Sequence, residues 1–423
     1  MGPIGATPAQ MRPDWGSHSC PSGHTAADFT TNEHLPRKGT TELDMEANGI
    51  NICGCANGAH GIAEALRGFI KATEIAGIRY VVNSLPLDER PPRDSLPSEI
   101  LSLENVFNTN LLYFNPDFLR SIFYRTYNDS YFRGRRNIGY WFWETDKLNP
   151  FWSTVEHVYD EVWAGSEFCK RVFERETSLP ASLVPPVVAP NDIEAEVPPI
   201  LARKDQFVFL CCYDYRSCVE RKNPGGVIDA FRMAFPRDRD VLLVLKARSG
   251  DGRRRRLARH HRCVKRKVRR WWQARDDRIM FLENYLASSQ MQGLMDRCDC
   301  LVSLHRSEGF GLHLAESMYR EIPVIATGYS GNMDFMSEDN SYLVGYELSE
   351  ITQRSLPYSR GSHWAEPDVG HAAELMRRVY THREEARQKA ARGAATIRRN
   401  HSTERVAKII RKNLEARPSS RAA

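Results

Sequence analysis

The chain has 423 residues, 41% hydrophobic and 10% aromatic, enough for two domains with sizeable cores. No apolar run reaches the length of a membrane span, and the first residues lack a basic start followed by an apolar stretch, so neither a spanning helix nor a secretory signal is expected. The net charge of +6 hides a local excess: residues 253–270 carry eleven Lys or Arg and no acid, and setting these eleven aside leaves the rest at −5.

Ten cysteines show no C-x-x-C pair and no zinc spacing. Cys53, Cys55, Cys211, Cys212, Cys298 and Cys300 fall in or beside predicted strands and read as buried thiols in a reducing compartment. Residues 1–46 mix Pro, Gly, Ser, Thr and His with little periodicity, and a flexible or loosely docked leader is expected there.

A first domain is expected over residues 47–190. Residues 49–84 read as strand, Gly-rich turn, helix and strand, with the helix ending at Gly77: a βαβ unit with a right-handed crossover. Gly54, Gly58 and Gly61 do not spell G-x-G-x-x-G, so a dinucleotide fingerprint is not supported. Residues 84–99 read as a loop, and another strand follows near Leu111. NIGYWFW, residues 137–143, is a strand that delivers Glu144 to its C-terminal end, where open α/β sheets bind ligands. The run Tyr140 to Trp143 alternates across the sheet, some rings being core and one or two free to face a ligand. Glu144 reads either as a cleft residue or as a helix-capping carboxylate. Ser166 starts a helix, and the Pro-rich stretch 182–200 reads as an interdomain linker.

A second domain is expected over 191–400. FVFLCCY is a strand and GGVIDAFRMAF a helix, joined by the basic loop YRSCVERKNP. VLLVLKA is the next strand. The basic run follows, spaced as a helix ending at Trp271 and Trp272. A solvated face or an anionic membrane surface, worth about 1 kcal/mol per basic residue, fits it better than nucleic acid, since aromatics do not interleave it.

Residues 299–334, DCLVSLHRSEGFGLHLAESMYREIPVIATGYSGNMD, read as strand, glycine turn, helix, strand and loop. Glu308 stands at the mouth of the turn. Glu316, eight residues on, is expected on the same helix face. Gly309 and Gly311 leave the backbone bare at the helix start, where free N–H groups and the helix dipole favour an anion. Beyond it, NSYLVGYEL reads as one strand and 370–415 as helical. Residues 401–423 are expected to hold a last helix, near 402–414, and a frayed tail.

Glu308, GFGLHLA and Glu316, with PVIATGYSGN after them, resemble the donor segment of retaining glycosyltransferases of family 4, the Glu-x7-Glu enzymes. The resemblance covers roughly residues 49–415. It implies an α/β fold of the GT-B type, two Rossmann-like domains facing across a cleft, with the last helix returning to the first. It implies transfer of a hexosyl or deoxyhexosyl unit from a nucleotide-diphosphate sugar to an acceptor hydroxyl with retention, in bacterial surface polysaccharide or glycoconjugate synthesis. A non-catalytic nucleotide-sugar module and a GT-B-like phosphorylase or epimerase are the alternatives.

Residue by residue, the resemblance implies that Glu316 accepts from the ribose hydroxyls, and that backbone groups of Gly309, Phe310, Gly311 and Leu312 bind phosphate or sugar oxygens. Lys222 grips the diphosphate, with Arg216 as a candidate second cation; Arg221 reads as a solvated neighbour. Glu308 holds the transferred sugar near its reacting carbon. Gly331 and Asn332 line its pocket, Gly61 belongs to a cleft loop, and Glu144 stands where many relatives have a histidine. No cofactor and no metal are implied; Asp238-Arg239-Asp240 reads as a charged turn despite its D-x-D form. The expected partners are the sugar donor, a glycan or lipid-linked acceptor and an anionic membrane at the periphery, without nucleic acid. The expected location is the cytoplasm, extending to the inner face of the plasma membrane.

Overall fold

A computed structural model describes residues 49–58, 61–85, 96–189, 194–198, 205–215, 217–248, 276–352 and 357–416. The leader, the basic run 253–270 and Arg216 lie outside the described residues.

Two six-stranded parallel sheets carry the chain. The first has the order β2-β1-β3-β4-β5-β6, with β1 Gly49–Gly54, β2 Arg79–Ser84, β3 Thr109–Leu112, β4 Arg136–Trp141, β5 Glu161–Ala164 and β6 Ala181–Leu183. The second has the order β12-β11-β10-β7-β8-β9, with β7 Phe207–Asp214, β8 Val241–Arg248, β9 Ile279–Leu282, β10 Cys300–Ser303, β11 Val324–Thr327 and β12 Tyr342–Val344.

The strands are apolar on both faces because each sheet is covered twice. In β7, Phe207, Phe209, Cys211 and Tyr213 enter one core, while Val208 and Leu210 enter the other. This is the period of two that a strand imposes. In the first sheet a polar ladder crosses the core. Asn51 donates to Asn110 at 2.8 Å, and Asn110 donates to Asn137 at 2.8 Å. Asn51 pairs in register with Asn110, and Asn110 with Asn137. A one-residue slip would strand these buried amides, so they fix the pairing.

Each sheet reverses its direction of growth once. The first does so between β1 and β3, the second between β7 and β10. Such points leave a crevice outside the strands' C-terminal ends. The loops that open there are those following β1, β3, β7 and β10.

Two segments of the second half reach the first. The stretch read as one strand breaks at Gly345: β12 stays in the sheet, and β13, Tyr346–Glu350, leaves it to pair antiparallel with β14, His363–Pro367. This hairpin sends Ile351, Tyr358 and Trp364 into the aromatic core around Trp143 and Trp152. Asp146 accepts from the backbone N–H of His363 at 2.6 Å and meets its ring at 2.9 Å. The last helix, Thr403–Glu415, places Val406, Ala407 and Ile410 in the core with Ile50 and Phe69. Arg136 donates to the carbonyls of Leu414 and Asn413 at 2.8 and 3.0 Å, satisfying that helix's open end.

Candidate active site

The loop after β10 and the short helix after β7 meet at the second reversal point. Val219–Lys222 forms one helical turn, closed by Asn223 in the left-handed region at φ 45°. Asn223 then caps the helix Pro224–Ala234, accepting from the N–H of Gly226 at 3.1 Å. These two helices fix Arg221 and Lys222 at the crevice.

Glu308 is buried between both cations. Lys222 lies 2.5 Å from one carboxylate oxygen and Arg221 3.1 Å from the other. Burial raises the carboxyl's pKa, but Lys222 and Arg221 outweigh it and hold Glu308 well below the usual carboxylate range. Arg221 is only 4% exposed. Its guanidinium also donates to the Ser307 carbonyl at 2.6 Å and reaches Glu144, from the other lobe, at 3.6 Å. Tyr358 of the hairpin donates to the second oxygen of Glu144 at 3.1 Å, and Ser307 donates to the Glu144 carbonyl. Glu144 thus joins the cluster through Arg221, its carboxylate taken up by two partners. The cation read as solvated is the centre of the network.

The glycine loop is held from behind. Gly331 packs so closely that a Cβ would lie 2.3 Å from the Gly309 carbonyl, and its N–H donates to the Glu308 carbonyl at 2.9 Å. Ser330 accepts from the Glu308 N–H at 2.8 Å. The Gly309 carbonyl accepts from Ser166 and Cys169 of the first lobe, at 2.5 and 3.2 Å. Phe310 turns its ring into the core against Phe335, so only its backbone faces the loop. Asn332 is buried, with its amide spent on His305 and the Thr327 carbonyl at 3.1 and 3.0 Å; it supports the loop and has no side-chain group left for a ligand. Gly311 is left-handed at φ 91° and precedes the helix Leu312–Tyr319, where Leu312 packs against both lobes' cores.

Glu308 therefore lies in the loop, outside the helix, and the eight-residue spacing does not set it on a common helix face with Glu316. The two acids have opposite surroundings. Burial, with Glu64 of the first lobe's leading helix adding to it, pushes Glu316 up to about 8. That helix, Gly61–Ile75, begins at the crevice; a Cβ on Gly61 would meet nothing within 4 Å. Arg67 fastens the turn before it by donating to the carbonyls of Ala56 and Gly58 at 2.8 and 3.0 Å. Tyr140, Trp141 and Trp143 are buried core, leaving Phe142 as the partly exposed ring of that run.

The D-x-D acids are engaged elsewhere. Asp238 forms a two-pronged pair with Arg377 at 2.9 and 2.7 Å, and Asp240 accepts from Tyr380 at 2.5 Å. Among the described residues no group of three metal-ligating side chains occurs.

Residues 240–410 match the model of a family described as family 4 glycosyltransferases in conflict systems. Solved structures share the fold over most of the chain. HepE of Anabaena, in complex with UDP and glucose, superposes with a TM-score of 0.60 at 13% identity, over 87% of this chain and 99% of its own. Sucrose-phosphate synthase of Thermosynechococcus elongatus gives 0.60 at 13% identity, over 87% and 98%. OtsA without ligand gives 0.61 at 10% identity, over 87% and 99%. No curated protein matches the chain. The chain has the GT-B fold, and its second lobe is similar to family 4 glycosyltransferases, as the Glu308-x7-Glu316 segment implied.

Proposed function

We propose that this GT-B chain, similar to family 4 glycosyltransferases over its second lobe, moves a hexosyl or deoxyhexosyl unit from a nucleotide-diphosphate sugar to an acceptor hydroxyl with retention of configuration. The observation that carries the reading is the Lys222–Glu308–Arg221 cluster at the reversal point of the second sheet, facing Glu144 across the lobes. HepE has been solved with UDP-glucose, which supports a donor of this class.

The ribose is assigned to Glu316, the diphosphate to Lys222 and the N-terminal turn of Leu312–Tyr319, and the transferred sugar to Glu308. A fixed cation at the leaving diphosphate stabilises the charge that builds as the glycosidic bond breaks. The acceptor attacks from the departing face and yields its proton to the leaving phosphate oxygen. Glu308, kept ionised by its two cations, positions the sugar and stabilises positive charge at the reacting carbon. A covalent route needs a second free carboxylate, and the carboxylate of Glu144 is tied to Arg221 and Tyr358. No step calls on a metal, so activity is expected to persist in excess chelator.

The acceptor is assigned to glycans or lipid-linked sugars of bacterial surface polysaccharide, built by a cytoplasmic enzyme at the inner face of the plasma membrane. No described helix is long and apolar enough to cross a membrane, which accords with attachment from one side. The matched family's description favours a second reading of the acceptor, a molecule modified in a conflict system. The deciding experiment screens UDP-, GDP-, ADP- and dTDP-sugars by thermal shift, then follows transfer and slow hydrolysis of any stabilising donor. A donor that stabilises the protein and is turned over by wild type supports the enzyme. Stabilisation without turnover, with or without acceptor, would make it a binding module, and neither would remove the reading.

A further inference from the structure

Two acids of like charge share one buried guanidinium, and they share it unequally. Arg221 stands 3.1 Å from Glu308 but 3.6 Å from Glu144, beyond hydrogen-bond reach. Charge alone does not set this difference, since each carboxylate attracts the cation. The backbone of Glu144 is pinned, its carbonyl accepting from the Ser307 hydroxyl of the other lobe. Rotation of its side chain is the freedom left. Tyr358 takes that freedom, its hydroxyl donating to the second carboxylate oxygen of Glu144 at 3.1 Å.

Tyr358 can hold Glu144 because its own ring is wedged. It is buried, packed edge-on against Trp143 at 5.5 Å and Trp364 at 6.4 Å. The Asn149 amide donates to the carbonyl of Pro357, just before it, at 3.3 Å, and Asp146 fastens His363 on the returning strand. A tyrosine of the second lobe is thus seated by side chains of the first. Burial raises its hydroxyl's pKa well above the ordinary value, so it stays protonated and able to donate. We infer that Tyr358 is a positioning residue for sugar transfer: by holding Glu144 away from Arg221, it leaves the guanidinium to Glu308. The inference rests on the donor site proposed above. Without the hydroxyl, Glu144 closes on the guanidinium, which turns from Glu308, and the acid assigned to the transferred sugar loses its orientation. Lys222 and Glu316 are untouched, so the nucleotide is still held.

The test measures kcat and KM with the donor that wild type turns over among UDP-, GDP-, ADP- and dTDP-sugars, and the affinity for its nucleoside diphosphate. Tyr358→Phe removes the hydroxyl and keeps the ring. It is expected to lower kcat about tenfold, with diphosphate affinity within about twofold of wild type. Trp364→Phe loosens the same hairpin without touching Glu144, and is expected to keep kcat within about twofold. An unchanged kcat in Tyr358→Phe, an equal fall in both variants, or a loss of diphosphate affinity as large as the loss of kcat would make Tyr358 a packing residue. Each of these overturns the inference while leaving the donor reading intact. Wild type turning over none of the sugars would sink both. Should Tyr358→Phe not fold, 3-fluorotyrosine placed at position 358 decides, since it keeps the ring's shape and makes the hydroxyl more acidic. Its kcat must move by more than about twofold with diphosphate affinity steady, and an unmoved kcat overturns the inference.

Discussion

Replacing Arg221 by Met gives the sharpest test of how Glu308 is held. At an effective dielectric of about 20, the 3.1 Å contact with Glu308 and the 3.6 Å contact with Glu144 are each worth about 5 kcal/mol of gross attraction. Desolvating the guanidinium returns several kcal/mol of that. Removing one member of a buried ionic cluster leaves the others uncompensated, and the usual net cost is about 3–5 kcal/mol. Chemical denaturation at pH 7 should show a loss in that range. The acid limb supplies an independent check. Glu308 has a depressed carboxyl, so the stability it contributes is fully present above about pH 4.5 and drains away as pH falls toward its folded value. With Lys222 alone the depression shrinks, so Arg221→Met should show a shallower fall from pH 5 to pH 3 than wild type. A variant within about 1 kcal/mol of wild type at pH 7, with the same acid limb, would refute the idea that Arg221 is the ionic partner.

Three other perturbations separate binding, chemistry and scaffold. Glu308→Gln should lower donor turnover about 10²–10³-fold while nucleoside diphosphate binding persists, and near-normal kcat would remove Glu308 from the mechanism. Glu316 has a raised carboxyl, so the folded state holds a proton the unfolded state loses, and its contribution to stability falls as pH rises from about 4.5 through about 8. Glu316→Gln should therefore stabilise the ligand-free protein at pH 8 while weakening nucleotide binding, as denaturation and calorimetry can show; unchanged nucleotide affinity would break the ribose assignment. Gly331→Ala drives a Cβ to 2.3 Å from the Gly309 carbonyl, and overpacking of about 1–3 kcal/mol with a displaced glycine loop should appear as lower thermal stability and a raised donor KM.

The elements were legible where one period dominates. The apolar alternation of β7 and the turn-and-helix grammar of 299–334 mark their own boundaries, because each depends on neighbours a few residues away. The glycine loop after β10 was legible for the same reason: glycines and acids at fixed spacing are a local signal. Arg221 was not, since its burial depends on Glu144 from the other lobe and on Ser307 from a distant loop. Lacking those contacts, a cation beside Lys222 in a polar turn looks solvated. Gly345 escaped notice because the residues on both sides favour strands, and only tertiary pairing decides that they join different sheets. The spacing from Glu308 to Glu316 misled in the opposite sense. Eight residues suit two helical turns, but Gly311 at φ 91° starts the helix after Glu308, and the acids end in opposite electrostatic settings.

The closing helix ties the order of synthesis to the order of folding. The leading lobe leaves the ribosome early, yet Ile50 and Phe69 wait for Val406, Ala407 and Ile410, which emerge only after the whole second sheet. Domains usually complete themselves as they are made, the N-terminal one first. Here the earlier half must hold an uncovered apolar groove until the helix Thr403–Glu415 has been made. A nascent chain stalled before Thr403 should bind chaperones that the finished protein ignores.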